Sequence, residues 1–181
     1  MVGYFPAKEI RPGLWIGSEG DSADASFITD HDIGLVVNCS NTIPMLNVPG
    51  VEYYRIPIDD ATNNNDVILS HFPVVVRAID SVLQRGKGVL VHCRAGMQRS
   101  AATVAAYLMF KYGLTAQNAM SAIKSRKNET FWPTPTFALA LKAYEKQLST
   151  FNSKTANSKT TANFKNFKQN RSGQGNAARA A

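Results

Sequence analysis

The apolar run Gly88-Val89-Leu90-Val91 leads directly into His92-Cys93-Arg94-Ala95-Gly96-Met97-Gln98-Arg99-Ser100, and a helix-patterned stretch begins at Ala101. A buried strand that becomes a helix through so short a turn constrains the chain strongly. The turn can aim successive backbone N–H groups at one point, and the helix adds its positive N-terminal end there. Arg99, six positions after Cys93, supplies a planar fork matched to two phosphate oxygens. Such a field lowers a thiol pKa from about 8.5 into the range of roughly 3.5–7.5, so Cys93 is expected to be a thiolate at neutral pH. A thiolate in a phosphate-shaped cradle is a phosphoryl acceptor. The plainer reading, an inert buried cysteine beside a surface arginine, explains neither Gly96 nor Ser100 nor their place on a strand-to-helix turn.

The rest of the chain supplies partners for that strand. Leu14-Trp15-Ile16-Gly17 after Pro12-Gly13 reads as a short strand leaving a turn, and Leu35-Val36-Val37-Asn38 as a central strand. Tyr54, Ile56 and Ile58 alternate with Tyr53, Arg55 and Pro57, which predicts a strand near an edge. Ile68, Phe72, Val76, Ile79 and Leu83 recur at helical spacing up to Gly86, with Pro73 marking either a helix start or a kink. Ala101, Val104, Ala105, Leu108 and Tyr112 form the stripe of the next helix, closed by Gly113. Thr115 is positioned to cap a helix towards Lys124. Thr134-Pro135 reads as the opening of a last helix carrying Phe137, Leu141, Tyr144 and Leu148. This alternation predicts an α/β fold, a central mostly parallel twisted sheet flanked by helices.

One catalytic domain over residues 1–150 is expected, followed by a tail over 151–181. Of the net charge of +7, residues 152–181 hold +6, from Lys154, Lys159, Lys165, Lys168, Arg171 and Arg179 with no acid, leaving +1 for residues 1–151. Asn, Thr, Ser, Lys, Gly and Ala dominate the tail, a composition that predicts disorder. It reads as a basic arm for an acidic partner, nucleic acid or an anionic surface, with Phe164 and Phe167 among its lysines, or as a solvated tail with no partner. No run is long and apolar enough to span a membrane, and Met1-Val2-Gly3-Tyr4-Phe5-Pro6 lacks a signal-peptide pattern. Two cysteines and the widely spaced His31, His71 and His92 offer neither a disulfide framework nor a metal site. A reducing compartment, cytoplasmic or nuclear, is the expectation.

His92 to Ser100 resembles the signature loop of the cysteine-dependent protein tyrosine phosphatases. Pro12 to Gly17, Ile56-Pro57-Ile58-Asp59-Asp60, Ala101-Ala102-Thr103 and Tyr107-Leu108-Met109 are similar to the dual-specificity branch, the likeness covering roughly residues 10–148. The resemblance implies a protein tyrosine phosphatase-like fold and two phosphoryl transfers without metal or organic cofactor. Cys93 would be the nucleophile, and Arg99 with the N–H groups of Arg94, Ala95, Gly96, Met97 and Gln98 would bind phosphate. Ser100 would hydrogen-bond the sulfur, and His92 would order the loop. The family draws a proton from an upstream aspartate; alignment favours Asp60, 33 positions before Cys93, over Asp59 and over Asp66, which reads as a helix cap.

Met97 and Gln98 depart from the commoner residues of the family and are expected at the rim, where they would tune substrate choice. The segment before the loop is too short for the phosphotyrosine-recognition element of the larger tyrosine-specific enzymes. A shallower pocket, open to phosphoserine and phosphothreonine as well as phosphotyrosine in a phosphoprotein substrate, is implied. Cys39 stands where lipid phosphatases of the superfamily carry a cysteine that pairs with the nucleophile; a buried strand cysteine out of reach is the alternative. Competing activities are an RNA 5′-triphosphatase, disfavoured by the missing Asn-Arg-Thr ending, and a phosphoinositide phosphatase, disfavoured by the absence of lysines at 94–98. A non-catalytic phosphoprotein-binding module is disfavoured by the intact Cys93, Arg99 and Ser100.

Overall fold

A computed structural model describes residues 5–151. The sequence readings on residues 1–4 and on the basic tail from 152 onward, including Phe164 and Phe167, lie outside the described residues.

Five strands form one sheet: β1 (Lys8–Arg11), β2 (Leu14–Gly17), β3 (Ile33–Asn38), β4 (Glu52–Arg55) and β5 (Gly88–His92), in the order β1-β2-β5-β3-β4. All neighbours run parallel except β1, which returns antiparallel on β2 through Pro12-Gly13. Strand β5 lies in the middle and is buried at every position. Its side chains alternate between two layers. Leu90, level with Trp15 and Val36, packs with Ile28 and Ile33 under helix α2 (Ala25–Asp30). Val89 and Val91, level with Leu14, Ile16, Leu35 and Val37, belong to the opposite face, towards α3 (Asn65–Gln84) and α4 (Arg99–Tyr112). Each fully buried Val, Leu or Ile there contributes about 1.5–3 kcal/mol.

Several expectations are adjusted by long-range packing. Helix α3 continues through Pro73 and keeps Ile68, Phe72, Val75, Val76, Ile79 and Val82 buried; Leu83 is only half-buried. Helix α4 is buried from Arg99 to Met109, so its exposed Tyr112 is not part of a core stripe. Residues Ile56 and Ile58 are buried although β4 ends at Arg55. Helix α5 (Ala116–Lys124) is capped by Thr115, whose side chain accepts from the Asn118 N–H.

The last helix, α6 (138–151), starts later than Thr134-Pro135 suggests. Asn65 takes over its N-terminus: Oδ1 accepts the Ala140 N–H at 2.9 Å and Nδ2 donates to the Thr136 carbonyl at 3.3 Å. The chain divides into compact units at Glu145/Lys146, and 146–151 are the described residues of the second. None of the helices among the described residues is long and apolar enough to cross a membrane.

Strand β1 and two short helices, α1 (Glu19–Ser22) and α2, escape the sequence reading. Their signals were local but brief: Ser18 and Asp21 form a reciprocal capping box, and Asp24 caps α2.

Candidate active site

Three parallel strands end level with one another: Gly17 pairs with His92, and His92 with Asn38. Ligand sites of open α/β sheets form beyond such carboxyl ends. Ser18, Glu19 and Gly20 leave β2, Ser40, Thr42 and Ile43 follow β3, and the 93–99 loop leaves β5. Together with Phe5, Asp59 and Asp60 they line a cleft of about 870 Å³.

The loop is held by its oxygens. The Glu19 N–H donates to Arg94 O at 3.1 Å, the Phe131 N–H to Met97 O at 2.9 Å and the Ala102 N–H to Gln98 O at 2.8 Å. With those carbonyls turned to the surrounding backbone, the N–H groups of residues 94–98 donate to no oxygen among the described residues. Gly96 adopts φ of 70°, and a Cβ there would stand 2.7 Å from the Gly17 carbonyl oxygen, so only glycine closes this turn.

Cys93 is buried, with Sγ 3.3 Å from Ser100 Oγ. Burial alone pushes its thiol up. The Arg99 charge and hydrogen bonds from the Ser100 hydroxyl and from the Ser100 and Gly96 N–H groups outweigh that, and the pKa lies below its ordinary value. Arg99 opens α4 and is itself buried. One terminal nitrogen donates to the Ile58 carbonyl at 3.3 Å, while Nε is buried with no partner among the described residues. A buried unpaired donor costs roughly 1–3 kcal/mol. An oxyanion resting on the loop would remove that cost, because its oxygens are acceptors for Nε and for loop N–H groups that donate to no oxygen among the described residues.

His92 lies beneath the loop. Burial lowers its pKa to about 4, outweighing the raising effect of the neighbouring Cys93 backbone, so the ring is neutral. Cys39 follows β3; its N–H donates to the His92 carbonyl at 2.8 Å, and its Sγ lies 3.4 Å from Thr103 Oγ1. Burial pushes that thiol up to about 12, and both cysteines are free thiols.

Asp59 and Asp60 are exposed on the cleft wall. Asp59 Oδ2 accepts from Asn41 Nδ2 at 3.2 Å, whereas the Asp60 carboxylate accepts no hydrogen bond among the described residues. Asp66 is outside the cleft. It does not cap α3 either, because Asn64 occupies the cap position and Asp66 is the second residue of the helix, in its first turn, where its charge complements the helix dipole.

Gln98 corrects the reading of it as a rim residue. Although it borders the cleft, the residue is only 7% exposed. Nε2 donates to Trp132 O at 3.0 Å and Thr134 O at 2.9 Å, and Oε1 accepts from the Thr136 N–H at 3.1 Å. It clamps the 132–136 backbone to the loop.

Sequence reasoning also missed Arg55 and Asn38. Arg55 donates to Ser40 O at 2.5 Å and Ile43 O at 2.9 Å, and Asn38 Nδ2 to Ile43 O at 2.9 Å, shaping the wall after β3. Polar residues at the carboxyl ends of two neighbouring strands were the available signal. Among the described residues no group of His, Cys, Asp and Glu could hold a metal ion.

Residues 14–147 match the family described as dual specificity phosphatase, catalytic domain. The chain is 32% identical over 141 residues to dual specificity protein phosphatase 1B of Arabidopsis thaliana, covering 78% of this chain and 83% of that one. It is 31% identical over 143 residues to human dual specificity phosphatase 28, covering 79% and 80%. The crystal structure of human DUSP28 superposes with a TM-score of 0.74 at 30% identity, over 81% of this chain and 97% of that one. Human dual specificity protein phosphatase 6 is 34% identical over 126 residues, which are 68% of this chain and only 32% of that longer protein. With the fold, the loop and the family match in agreement, the chain belongs to the dual specificity phosphatases, cysteine-dependent protein phosphatases.

Proposed function

We propose that this protein hydrolyses phosphotyrosine and phosphoserine or phosphothreonine in proteins through a cysteinyl-phosphate intermediate on Cys93. The observation that carries the reading is a buried thiol with a depressed pKa beside Arg99, whose Nε has no partner among the described residues. In the first step the Cys93 thiolate attacks phosphorus; the P–S bond forms, the P–O bond to the side chain breaks, and Asp60 protonates the leaving oxygen. Arg99 and the N–H groups of 94–99 hold the equatorial oxygens as charge builds on them. In the second step water attacks phosphorus, Asp60 accepts its proton, and the P–S bond breaks to return thiolate and inorganic phosphate. Ser100 Oγ, 3.3 Å from the sulfur, stabilises the departing thiolate. Asp60 is favoured over Asp59 because its carboxylate is not engaged by Asn41.

The test is hydrolysis of matched phosphotyrosyl and phosphoseryl peptides beside a phosphoinositide and triphosphate-ended RNA. Turnover of both peptides and neither of the others supports the reading. A preference for the lipid or the RNA overturns it.

Cys39 is proposed as the redox partner of Cys93. Hydrogen peroxide would oxidise the Cys93 thiolate to a sulfenic acid, and the Cys39 sulfur would displace its hydroxyl as water, giving a disulfide. Peroxide-treated protein should lose two hydrogens in mass and regain activity with dithiothreitol; a sulfinic acid on Cys93 with no such species removes the idea. For the basic tail we propose an anionic partner, and a cytoplasmic or nuclear place for the protein. Deleting 152–181 should leave small-substrate turnover intact while weakening retention on heparin.

A further inference from the structure

Phe5 is the one aromatic side chain lining the cleft among the described residues, in company with Ser18, Glu19 and Gly20. Two buried charges fasten the backbone just behind it. Lys127, 3% exposed, donates from Nζ to the Pro6 carbonyl at 3.1 Å, pairs with Glu129 Oε1 at 2.5 Å, and stands 5.8 Å from the centroid of the Phe5 ring. Asp21, 4% exposed, accepts the Ala7 N–H on Oδ1 at 3.1 Å, while Oδ2 accepts from the N–H of Ser18 at 2.7 Å and from its hydroxyl at 2.6 Å. The Pro6 carbonyl and Ala7 amide are therefore pinned by a cation and an anion. Each of these charges has a desolvation penalty that an apolar seal at the sheet edge would not incur. The same Asp21 carboxylate that holds Ala7 also holds Ser18, so the Phe5 segment and the cleft wall share one anchor. The apolar neighbours in the cleft, Ile43, Ala95 and Met97, have no aromatic face to offer.

We propose that Phe5 is a specificity-determining residue, whose ring packs against the phenyl ring of a phosphotyrosyl substrate seated on the 93–99 loop. The inference rests on the proposed reading of that loop as the phosphate cradle and sets the substrate preference of the same site. Phosphoserine and phosphothreonine have no ring to meet Phe5. An aromatic pair of this kind contributes a factor of about two to twelve.

The experiment compares kcat/KM for two peptides of one sequence, one phosphorylated on Tyr and one with Ser at that position, using the full chain. In Phe5→Ala the Tyr-to-Ser ratio should fall about five-fold, mainly through KM for the phosphotyrosyl peptide. Phe5→Tyr, which keeps the ring, should retain the ratio. Lys127→Met, which releases the Pro6 carbonyl and the cation under the ring, should lower it too, with Tm recorded alongside. An unchanged ratio in Phe5→Ala, or an equal loss on both peptides, overturns the proposal. Wild-type protein that turns over neither peptide, or a Cys93→Ser variant as active as wild type, would instead overturn the reading of the loop, and this inference with it.

Discussion

Residues 92–100 and residues 59–64 border the same cleft, but the first segment is tied down at nearly every position and the second at few. In the nucleophile loop the carbonyls of Arg94, Met97 and Gln98 are all taken by backbone donors, and His92, Cys93, Gly96, Gln98, Arg99 and Ser100 are buried. In the acid loop Asp59 and Asp60 are exposed. The ties there include the hydrogen bonds from Asn41 to the Asp59 carboxylate, from the Asn64 side chain to the Asp59 carbonyl and to Asn63 Oδ1, and from the Asn64 N–H to the Ala61 carbonyl. The contrast follows from what each has to do. Stabilising charge on phosphoryl oxygens demands donors fixed before the reaction, because reorganising them would consume the benefit. Delivering a proton to leaving groups as different as a phenol and an alcohol demands a carboxylate that can adjust its reach.

The largest effect should come from the rigid side. Cys93→Ser is expected to lower kcat by about 10⁴-fold or more on every phosphoester, since the oxygen nucleophile has no depressed pKa to exploit. Turnover that survives the change would break the comparison at its root. The acid loop should show a smaller and selective loss. Asp60→Asn is expected to cost about 10²–10³-fold in kcat on a phosphoseryl peptide, whose alkoxide needs the proton, and only a few-fold on p-nitrophenyl phosphate. Asp59→Asn should stay within a few-fold on both. Exchanged outcomes would move the acid to Asp59, and no loss from either would place it elsewhere.

The difference between the segments also explains what could be read from the sequence. The loop was legible because its parts are contiguous: a buried strand, Cys93, Gly96, Arg99 and a helix follow one another, and the parallel sheet follows from neighbouring apolar runs. The supports were not, because they join distant residues. Gln98 reaches backbone 34 to 38 positions away, Asn65 caps a helix 75 positions on, and Lys127 meets Pro6 across 121 positions. Single polar residues like these carry no periodicity, so Gln98 reads as rim and Asp66 as cap. Between Asp59 and Asp60 the sequence offers only alignment, whereas the Asn41 contact gives a physical ground for the choice.

A sealed loop should announce itself in the pH dependence of stability. Burial holds the pKa of His92 at about 4 in the folded protein, against about 6.5 when unfolded. Between those values the unfolded chain binds a proton that the folded chain refuses. The stability associated with neutral His92 is thus fully present above pH 6.5 and is lost as pH falls towards 4, roughly 2 kcal/mol of it by pH 5. Urea unfolding at pH 7 and pH 5 should show a smaller drop for His92→Asn than for wild type. Identical drops would mean that water reaches the ring and that the loop is less closed than its burial indicates.

The smallest expected effect sharpens the comparison most, because it asks whether the rigidity of the loop comes from its own turn or from its neighbours. Gln98→Ser keeps a small polar residue before Arg99 but deletes three hydrogen bonds to Trp132, Thr134 and Thr136. Their loss should cost about 1–3 kcal/mol in denaturant unfolding, partly relieved by water entering at the exposed Trp132 and Thr134. If the clamp holds the loop in its working shape, kcat/KM should fall about ten-fold on p-nitrophenyl phosphate and on phosphopeptides alike, because the misplaced groups are the ones that meet phosphate. Gln98→Glu retains an acceptor for the Thr136 N–H but faces two carbonyl oxygens with a carboxylate, so it should be no better than serine. A loss confined to peptides, with the aryl phosphate untouched, would return Gln98 to the rim and leave Gly96 and the three backbone-held carbonyls as sufficient to shape the cradle.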